Sequence, residues 1–183
     1  MKRELVLILG GVRSGKSHFA QHLASSSKGR VLFLATAQPT DDEMAERIAR
    51  HRASRPATWH TVEEPLQIAS ALKSHAASSD IVILDCLTVW LGNMMSRDAS
   101  ASEEEALEEV ERLLEVYETG SASLILVSGE VGMGLVPPYP LGRAFRDIQG
   151  RINQRLAQEA DKVFFMIAGI PLELKAPGAP STQ

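Results

Sequence analysis

The hydrophobic positions of the chain fall into short continuous runs, separated by longer segments with helical spacing. Runs of strand length occupy residues 5–9, 31–35, 81–84, 124–127 and 163–167. Because these runs do not alternate with polar residues, they are typical of parallel strands covered on both faces. A weaker alternation predicts a short strand at residues 58–62, and residues 172–174 are a candidate partner for the last run.

The segments between the runs carry apolar residues three and four positions apart, which predicts helices. These helices are expected at residues 17–27, 41–53, from Pro65 to about residue 72, and at 87–95, 102–118 and 143–160. Thr40 with Glu43, and Ser102 with Glu105, match the capping-box pattern at two helix starts, while Pro65 suits a first helical turn. Strands and helices therefore alternate, which favours an α/β fold with a mainly parallel sheet and helices on both faces.

Length and charge narrow the class of protein. The 183 residues fit one domain, placed at residues 1–175, and the Pro/Gly/Ser-rich residues 176–183 are expected to be a disordered tail. Nineteen Lys and Arg against 23 Asp and Glu give a net charge of −4, which argues against a nucleic-acid partner. A lone cysteine, Cys86, excludes an internal disulfide and favours the cytoplasm, and no segment is long enough for a membrane span.

The clearest motif follows the first apolar run directly and matches the phosphate loop G-x-x-x-x-G-K-[ST]. Its residues are Gly10, Gly11, Val12, Arg13, Ser14, Gly15, Lys16 and Ser17. Glycines in such a loop let backbone N–H groups converge on phosphate oxygens, and the helix that follows points its positive end at them. Lys16 is expected to reach the β- and γ-phosphates as a catalytic group, and Ser17 to ligate Mg²⁺.

Two further strand ends are expected beside this loop, because ligands of open α/β sheets bind at the carboxyl ends of the strands. Asp85 ends the run 81–84 in a Walker-B-like arrangement and is expected to hold Mg²⁺ opposite Ser17. Thr36, Ala37 and Gln38 follow the run 31–35 and are expected to border the nucleotide. The residues alone therefore indicate a Mg²⁺-dependent nucleotide enzyme or a nucleotide-dependent switch.

Two segments in the second half of the chain leave alternatives open. Residues 129–134 contain three glycines and precede Pro137-Pro138, so they are either a substrate-covering segment or a plain long connection. The last predicted helix carries four arginines, Arg143, Arg146, Arg151 and Arg155. Most such arginines form surface salt bridges, whereas one or two near the helix start are candidates to clamp phosphates.

Several stretches beyond the phosphate loop match one family together. They include Ala35-Thr36-Ala37, Asp41-Asp42-Glu43-Met44, Arg47-Ile48, His51-Arg52, Arg55-Pro56, Trp59, Glu63, Glu130-Val131-Gly132-Met133-Gly134, Val136-Pro137, Phe145-Arg146-Asp147-Ile148, Gly150-Arg151 and Asn153-Gln154. In these pieces the chain resembles the bifunctional adenosylcobinamide kinase / adenosylcobinamide-phosphate guanylyltransferase family of cobalamin biosynthesis. The combination is specific, whereas the phosphate loop alone is generic.

The resemblance implies a RecA-like phosphate-loop fold, a homotrimer and two reactions on a large corrinoid. In the first reaction ATP or GTP phosphorylates the aminopropanol hydroxyl of adenosylcobinamide. In the second, GTP transfers GMP to a histidine, and the cobinamide phosphate takes it up as adenosylcobinamide-GDP. By its place in the motif, His51 is that histidine. Judged by spacing alone, His51 lies on a helix face with Met44 and Ile48, a pattern that favours a packed or partly solvated residue at a helix end; only the motif favours the nucleophile.

The same resemblance assigns further residues to the site. Arg52, Ala53, Ser54 and Arg55 are expected to border the guanine nucleotide, and Glu63 to accept from the guanine N1 and N2 donors. Glu130 is the candidate for orienting the substrate hydroxyl or its phosphate. The chain departs from the family pattern at Asp85, where Glu is frequent. Two competing hypotheses remain at this point: a small-molecule kinase in which His51 is structural, and a switch NTPase.

Overall fold

One mixed β-sheet organises the protein, whose computed structural model describes residues 3–97 and 103–176. Within these residues the strands are β1 (Leu5–Gly10), β2 (Val31–Ala35), β3 (His60–Glu63), β4 (Ile81–Asp85), β5 (Ser123–Val127), β6 (Lys162–Ile167) and β7 (Ile170–Lys175). The α-helices are α1 (Lys16–Ser25), α2 (Asp42–Ala53), α3 (Ile68–His75), α4 (Leu87–Arg97), α5 (Glu103–Thr119) and α6 (Pro140–Glu159), with a short 3₁₀ turn at Ala76–Ser78.

The strand order across the sheet is β3-β2-β4-β5-β1-β6-β7. The first six strands in sequence run parallel, and β7 pairs antiparallel with β6, which confirms the candidate partner of the last apolar run. Leu7 of β1 lies opposite Leu126 of β5 on one side and Val163 of β6 on the other. The α/β class with a mainly parallel sheet is therefore confirmed.

Each face of the sheet is covered by helices, but unequally. Alternate strand residues such as Leu7 and Leu84 pack against α3, α4, α5 and α6, where Trp90 is fully buried. The intervening positions, such as Ile8 and Ile83, pack against two alanines of α1, Ala20 and Ala24. Small residues let α1 approach the sheet closely, which brings the start of α1 next to the strand ends.

Two predicted helix starts are wrong. Asp41, not Thr40, caps α2: its carboxylate accepts a hydrogen bond from the Met44 amide at 2.7 Å. Pro65 lies outside α3, which begins at Ile68. Before that helix, the carboxylate of Glu64 accepts from the amides of Leu66 and Gln67, both at 2.9 Å, and this local turn replaces a proline-started helix.

Other boundaries differ by a few residues. The last helix begins at Pro140, in its first turn, rather than at Arg143. The predicted cap Ser102 and the tail residues 177–183 lie outside the described residues. Among the residues that are described, no helix combines the length and the apolar character that crossing a bilayer requires.

Candidate functional site

The phosphate loop joins β1 to α1, as its motif predicts. Gly10 and Gly15 have positive φ angles of 145° and 98°. A Cβ atom on Gly10 would lie 2.6 Å from the carbonyl oxygen of Met166, so only glycine fits there without a shift of the backbone. The ammonium group of Lys16 donates to the carbonyl oxygens of Gly10 at 2.9 Å and Gly11 at 2.6 Å. Lys16 is thus held over the loop that is expected to carry the phosphates.

The loop is also braced from the far end of the chain. The amide of Gly169, in the turn between β6 and β7, donates to the carbonyl oxygen of Ser14 at 3.0 Å. A Cβ atom on Gly15 would lie 3.2 Å from the Cα of Gly169, so the two backbones are in close contact. Ser14 itself is 8% exposed, and its hydroxyl has no hydrogen-bond partner among the described residues. Arg13 and Val12 stand outside this packing and are exposed.

The predicted metal pair is brought together at the same edge. Asp85, at the end of β4, hydrogen-bonds with Ser17 at the start of α1. Desolvation raises the pKa of the Asp85 carboxyl, while the hydrogen bond with Ser17 and the positive potential of His51, Arg55 and Lys16 act in the opposite direction. Residues of the phosphate loop and of the end of α2 therefore both favour the charged form of this carboxyl group.

A hydroxyl and a carboxylate are oxygen ligands of the kind that Mg²⁺ prefers. Residues 3–97 and 103–176 contain no group of three or more His, Cys, Asp or Glu that could hold a metal ion. Magnesium in nucleotide sites is bound by one or two protein side chains together with water and phosphate oxygens, so the Ser17–Asp85 pair fits the ion.

The segment after β2 supports the site more than it lines it. Thr36 is fully buried, and its hydroxyl donates to the Cys86 carbonyl at 2.8 Å and accepts from the Cys86 amide at 2.9 Å. Asn93 of α4 adds a bond from its side-chain amide to the Thr36 carbonyl at 2.8 Å. Of the three residues predicted to border the nucleotide here, Ala37 and Gln38 are accessible to solvent, whereas the Thr36 side chain is committed to the protein.

His51 lies in the last turn of α2, where it is partly buried. Its carbonyl oxygen accepts from the Ser54 hydroxyl at 2.9 Å, which fixes the end of the helix. The electrostatic influence of His51 on Asp85 places the imidazole on the phosphate-loop side of the molecule. The structure therefore brings His51 to the same region as Lys16 and Ser17, although these residues are far apart in the sequence.

A polar recess lies between the end of α2 and β3. It has a volume of about 490 Å³ and is lined by Arg52, Arg55, Pro56, Ala57, Trp59, Thr61 and Glu63. The guanidinium of Arg52 forms an ion pair with the Glu63 carboxylate across the recess. Ala53 and Ser54 are exposed on the adjoining end of the helix. Two of the residues expected near a nucleotide, Arg52 and Arg55, therefore line one concavity with Glu63, whereas Ala53 and Ser54 do not line it.

Arg55 is the most enclosed of these basic groups. Its guanidinium carbon lies 3.7 Å from the centre of the Phe33 ring, and its Nε has no hydrogen-bond partner among the described residues. Burial lowers the pKa of the Arg55 guanidinium, and the nearby Asp85 carboxylate opposes that effect. Arginine stays charged over the physiological range, so Arg55 supplies a desolvated positive charge beside Asp85.

The glycine loop, residues 129–134, lies against the phosphate loop. The amide of Glu130 donates to the carbonyl oxygen of Gly10 at 3.0 Å, and the Glu130 carboxylate accepts from the amide of Gly132. Further along, Met133 and Leu135 are 80% and 97% exposed. Glu130 is thus placed beside the phosphate loop, and the exposed apolar positions that follow suit a segment that covers a large substrate, one of the two readings of its sequence.

The four arginines of α6 fall into two groups, those with hydrogen-bond or ion-pair partners and one whose buried nitrogen has no partner in the part of the chain that the structure describes. Arg151 pairs with a glutamate of α5, Glu103, and Arg155 binds Glu111 with a second bond to Glu159. Arg143 donates to two proline carbonyls in the segment before the helix, at 3.1 and 2.8 Å. Arg146 differs, because its Nη1 is buried without a hydrogen-bond partner among the described residues. Three of the four arginines therefore have structural partners.

Some polar residues that support the site belong to no motif recognised in the sequence. Asn93, Thr88, Ser128 and Gln149 are polar side chains whose bonds hold the strand ends in place. Thr88 and Asn93 occupy a predominantly apolar helix, and that contrast is the one signal in the sequence that marks them. Their partners are backbone atoms in the loops that follow distant strands, which spacing along one helix does not identify.

Comparison with known proteins adds to this geometry. A family model described as cobinamide kinase / cobinamide phosphate guanyltransferase matches residues 6–174. The bifunctional adenosylcobalamin biosynthesis protein CobP of Pseudomonas aeruginosa is 45% identical over 170 residues, which cover 92% of this chain and 96% of the relative. The bifunctional adenosylcobalamin biosynthesis proteins CobU of Salmonella typhimurium and Escherichia coli are each 38% identical over 181 residues, covering 93% of this chain and 99% of the relative.

Proposed function

The chain belongs to the cobinamide kinase / cobinamide phosphate guanyltransferase family, and from that premise we propose that it catalyses both reactions in turn. It phosphorylates the aminopropanol hydroxyl of adenosylcobinamide with ATP or GTP, and it then transfers GMP from GTP to the resulting phosphate to give adenosylcobinamide-GDP. The protein is thus a bifunctional transferase of cobalamin biosynthesis. We propose further that it works in the cytoplasm as a homotrimer, which light scattering of the purified protein tests.

In the kinase reaction the phosphate loop binds the triphosphate through its backbone amides and the start of α1. Lys16 leaves the carbonyl oxygens of Gly10 and Gly11 and stabilises the negative charge on the transferring phosphoryl group. Ser17 and Asp85 are the residues that would hold Mg²⁺, which when bound would neutralise charge on the phosphate oxygens. Glu130 lies beside the loop and orients the attacking hydroxyl, because positioning dominates phosphoryl transfer.

In the guanylyl transfer a neutral nitrogen of His51 attacks the α-phosphorus of GTP, forming a P–N bond as pyrophosphate leaves and the imidazole proton passes to solvent. An oxygen of the cobinamide phosphate then attacks the same phosphorus, and the P–N bond breaks as the departing imidazole takes up a proton from solvent, which returns the neutral histidine. Lys16 stabilises the charge that develops on pyrophosphate. The positive charge of Arg55 beside Asp85 supports an anionic phosphate near His51.

The recess between α2 and β3 is the proposed site of the guanine base in this second reaction. Its volume of about 490 Å³ is within the range of ligand pockets, and it adjoins His51 through Arg52. Glu63 accepts from the N1 and N2 donors of guanine, groups that adenine does not offer in that arrangement. For this contact Arg52 must release the Glu63 carboxylate, after which its guanidinium is available to the nucleotide phosphates.

The single observation that carries this proposal is that Ser17 hydrogen-bonds with Asp85 while His51, Arg55 and Lys16 all act electrostatically on the same carboxyl group. A phosphate-loop kinase requires Lys16 and Ser17, whereas it does not require a histidine and an arginine from the end of α2. Their electrostatic influence on the Asp85 carboxyl group favours a second phosphorus chemistry at this edge of the sheet. It argues against a kinase in which His51 is structural.

The experiment is to incubate the protein with Mg²⁺ and GTP labelled at the α-phosphate, and to measure covalently attached label. We expect an acid-labile, alkali-stable adduct that is absent in His51→Asn and retained in His60→Asn, which alters an exposed histidine of β3. No adduct from protein that phosphorylates adenosylcobinamide would leave a kinase alone. If no corrinoid is phosphorylated with γ-labelled nucleotide and no adduct forms, the switch hypothesis remains.

A further inference from the structure

A buried polar cluster joins α6 to the end of β5. Ser128 and Gln149 have no exposed surface, and Asn153 is 6% exposed. On α6, Gln149 and Asn153 occupy the same buried stripe as Ile148, Ile152 and Leu156. Burying three polar side chains in an apolar interface is costly unless their hydrogen bonds are made, so their arrangement has to serve a purpose that leucine or alanine would not serve.

The hydrogen bonds of the cluster fix the orientation of Asn153. Its side-chain oxygen accepts from the Ser128 hydroxyl at 2.6 Å and from the Gln149 amide at 3.2 Å. The Gln149 amide also donates to the Ser128 hydroxyl at 3.0 Å. With its oxygen committed in this way, Asn153 must present its amide nitrogen on the other side, where it donates to the carbonyl oxygen of Gly129 at 3.1 Å.

Gly129 is held from two helices at once. While Asn153 of α6 binds its carbonyl oxygen, the Thr88 hydroxyl oxygen of α4 accepts from its amide at 2.6 Å. A Cβ atom at this position would lie 2.7 Å from the same Thr88 oxygen, so the close approach requires glycine. Both hydrogen-bonding groups of one residue at the start of the glycine loop are therefore fixed by side chains.

The next residue connects this arrangement to the phosphate loop. The Glu130 amide donates to the Gly10 carbonyl oxygen at 3.0 Å, and the same oxygen accepts from the Lys16 ammonium at 2.9 Å. A continuous series of bonds thus runs from Asn153 through Gly129 and Glu130 to the carbonyl that holds Lys16. Because misplacement of a reacting group by about 1 Å can cost about 100-fold in rate, such a series matters for catalysis.

One atom of the cluster shows that stability alone does not explain it. The side-chain oxygen of Gln149 is buried and has no hydrogen-bond partner among the described residues. An unsatisfied buried acceptor is destabilising, so a network selected only for stability would be filled by an apolar side chain at this position. The cluster is instead suited to setting one orientation of the Asn153 carboxamide.

We propose that Asn153 is a positioning residue for phosphoryl transfer: oriented by Ser128 and Gln149, it fixes Gly129 and thereby places Glu130 against the phosphate loop. The expected effect on the rate of phosphorylation rests on the proposed kinase function. The placement of Gly129 and Glu130 does not depend on it. Asn153 contacts no reacting atom and acts through the backbone of Gly129. Guanylylation of His51 does not use Glu130, so the two half-reactions should respond differently.

The test compares Asn153→Asp with Gln158→Glu, the same amide-to-acid change at an exposed position of α6. The aspartate keeps the acceptor for Ser128 and loses the donor to Gly129. We expect hydrogen exchange of the Gly129 and Glu130 amides to accelerate at least about tenfold in Asn153→Asp only, because the lost bond to the Gly129 carbonyl oxygen frees the backbone that holds both amides against their acceptors, Thr88 and Gly10. We also expect kcat for adenosylcobinamide phosphorylation to fall at least about tenfold with KM unchanged, while self-guanylylation stays within about twofold.

Unchanged amide exchange at these two residues in a folded Asn153→Asp protein would overturn the proposed placement. Equal losses in both half-reactions would also overturn it, since they indicate general destabilisation. If Asn153→Asp does not fold, Ser128→Ala removes one of the two donors that orient Asn153 and should give a smaller change in the same direction. If the wild-type protein phosphorylates no corrinoid, the proposed function fails, yet the exchange measurement still decides the placement.

Discussion

Replacing Glu63 with glutamine should reduce guanine recognition without weakening the fold. Arg52 and Glu63 form an ion pair whose side chains are 62% and 47% exposed. Such pairs contribute about 0–1 kcal/mol to stability because water screens them and ordering two long side chains costs entropy. The free energy of unfolding of Glu63→Gln should therefore lie within about 1 kcal/mol of the wild-type value, as measured by urea denaturation.

The effect on nucleotide binding should be larger. A hydrogen bond to a charged acceptor contributes about 1.5–3 kcal/mol, and guanine offers the Glu63 carboxylate two donors. Glutamine retains one acceptor and turns its amide group toward the other donor, while release of Arg52 no longer costs up to about 1 kcal/mol. A net loss of about 2–3 kcal/mol corresponds to a decrease of about 30- to 140-fold in kcat/KM for self-guanylylation with GTP.

The assay compares GTP with inosine triphosphate, which lacks the 2-amino donor. Wild-type protein should prefer GTP, and Glu63→Gln should lose more of its rate with GTP than with inosine triphosphate, so the preference decreases. Glu46→Gln, an exposed acidic position of α2, serves as the matched control and should keep the preference. A GTP preference that is unchanged in Glu63→Gln would refute the contact between this carboxylate and the base.

Three further perturbations have defined outcomes. Trp90→Phe removes the donor of the 2.8 Å hydrogen bond to the Leu66 carbonyl oxygen and leaves a cavity at a fully buried position. Because both changes are destabilising, the free energy of unfolding measured with urea should fall by about 2–4 kcal/mol at constant m-value. Asp80 accepts from the backbone amide of Arg30, and this bond is the main cause that lowers the pKa of its carboxyl below the ordinary 3.8. The stabilisation that the ionised Asp80 carboxylate contributes is present above the unfolded pKa and is lost as pH falls through the lowered folded pKa. The Asp80→Asn protein should therefore be less stable than wild type at pH 7, and the two proteins should become similar in stability in denaturation curves below pH 4. Glu130→Gln should slow corrinoid phosphorylation more than self-guanylylation in single-turnover assays, and equal losses would point to a shared metal or folding role instead.

Much of this architecture could be predicted because the strongest signals are local. The continuous apolar runs identify the buried parallel strands, since few other structures bury every residue of a short segment. The phosphate loop is marked by the residues that it requires at fixed spacing, and Asp85 by its place directly after a strand. Parallel topology then brings both to one edge, so the proximity of Asp85 to Ser17 follows from the order of elements.

The remaining features depend on geometry that spacing does not contain. Thr40 and Asp41 both have side chains that cap helices, and only the extended backbone at Asp41 decides between them. Gln149 and Asn153 fall on the apolar stripe of α6. They become functional candidates only because they bind residues that follow the end of β5. Position along the helix predicts that such residues are buried, but not which backbone groups they hold.

The strand order also has a consequence for the synthesis of the protein. β1 and the phosphate loop are translated before their neighbours in the sheet, β5 and β6, and the turn that braces the phosphate loop follows β6. Leu7 meets its partners only when Leu126 and Val163 have been translated. The nucleotide site therefore cannot be completed until the turn after β6 has been translated, and β1 stays an unpaired apolar segment, which chaperones would have to shield, until β5 and β6 are available.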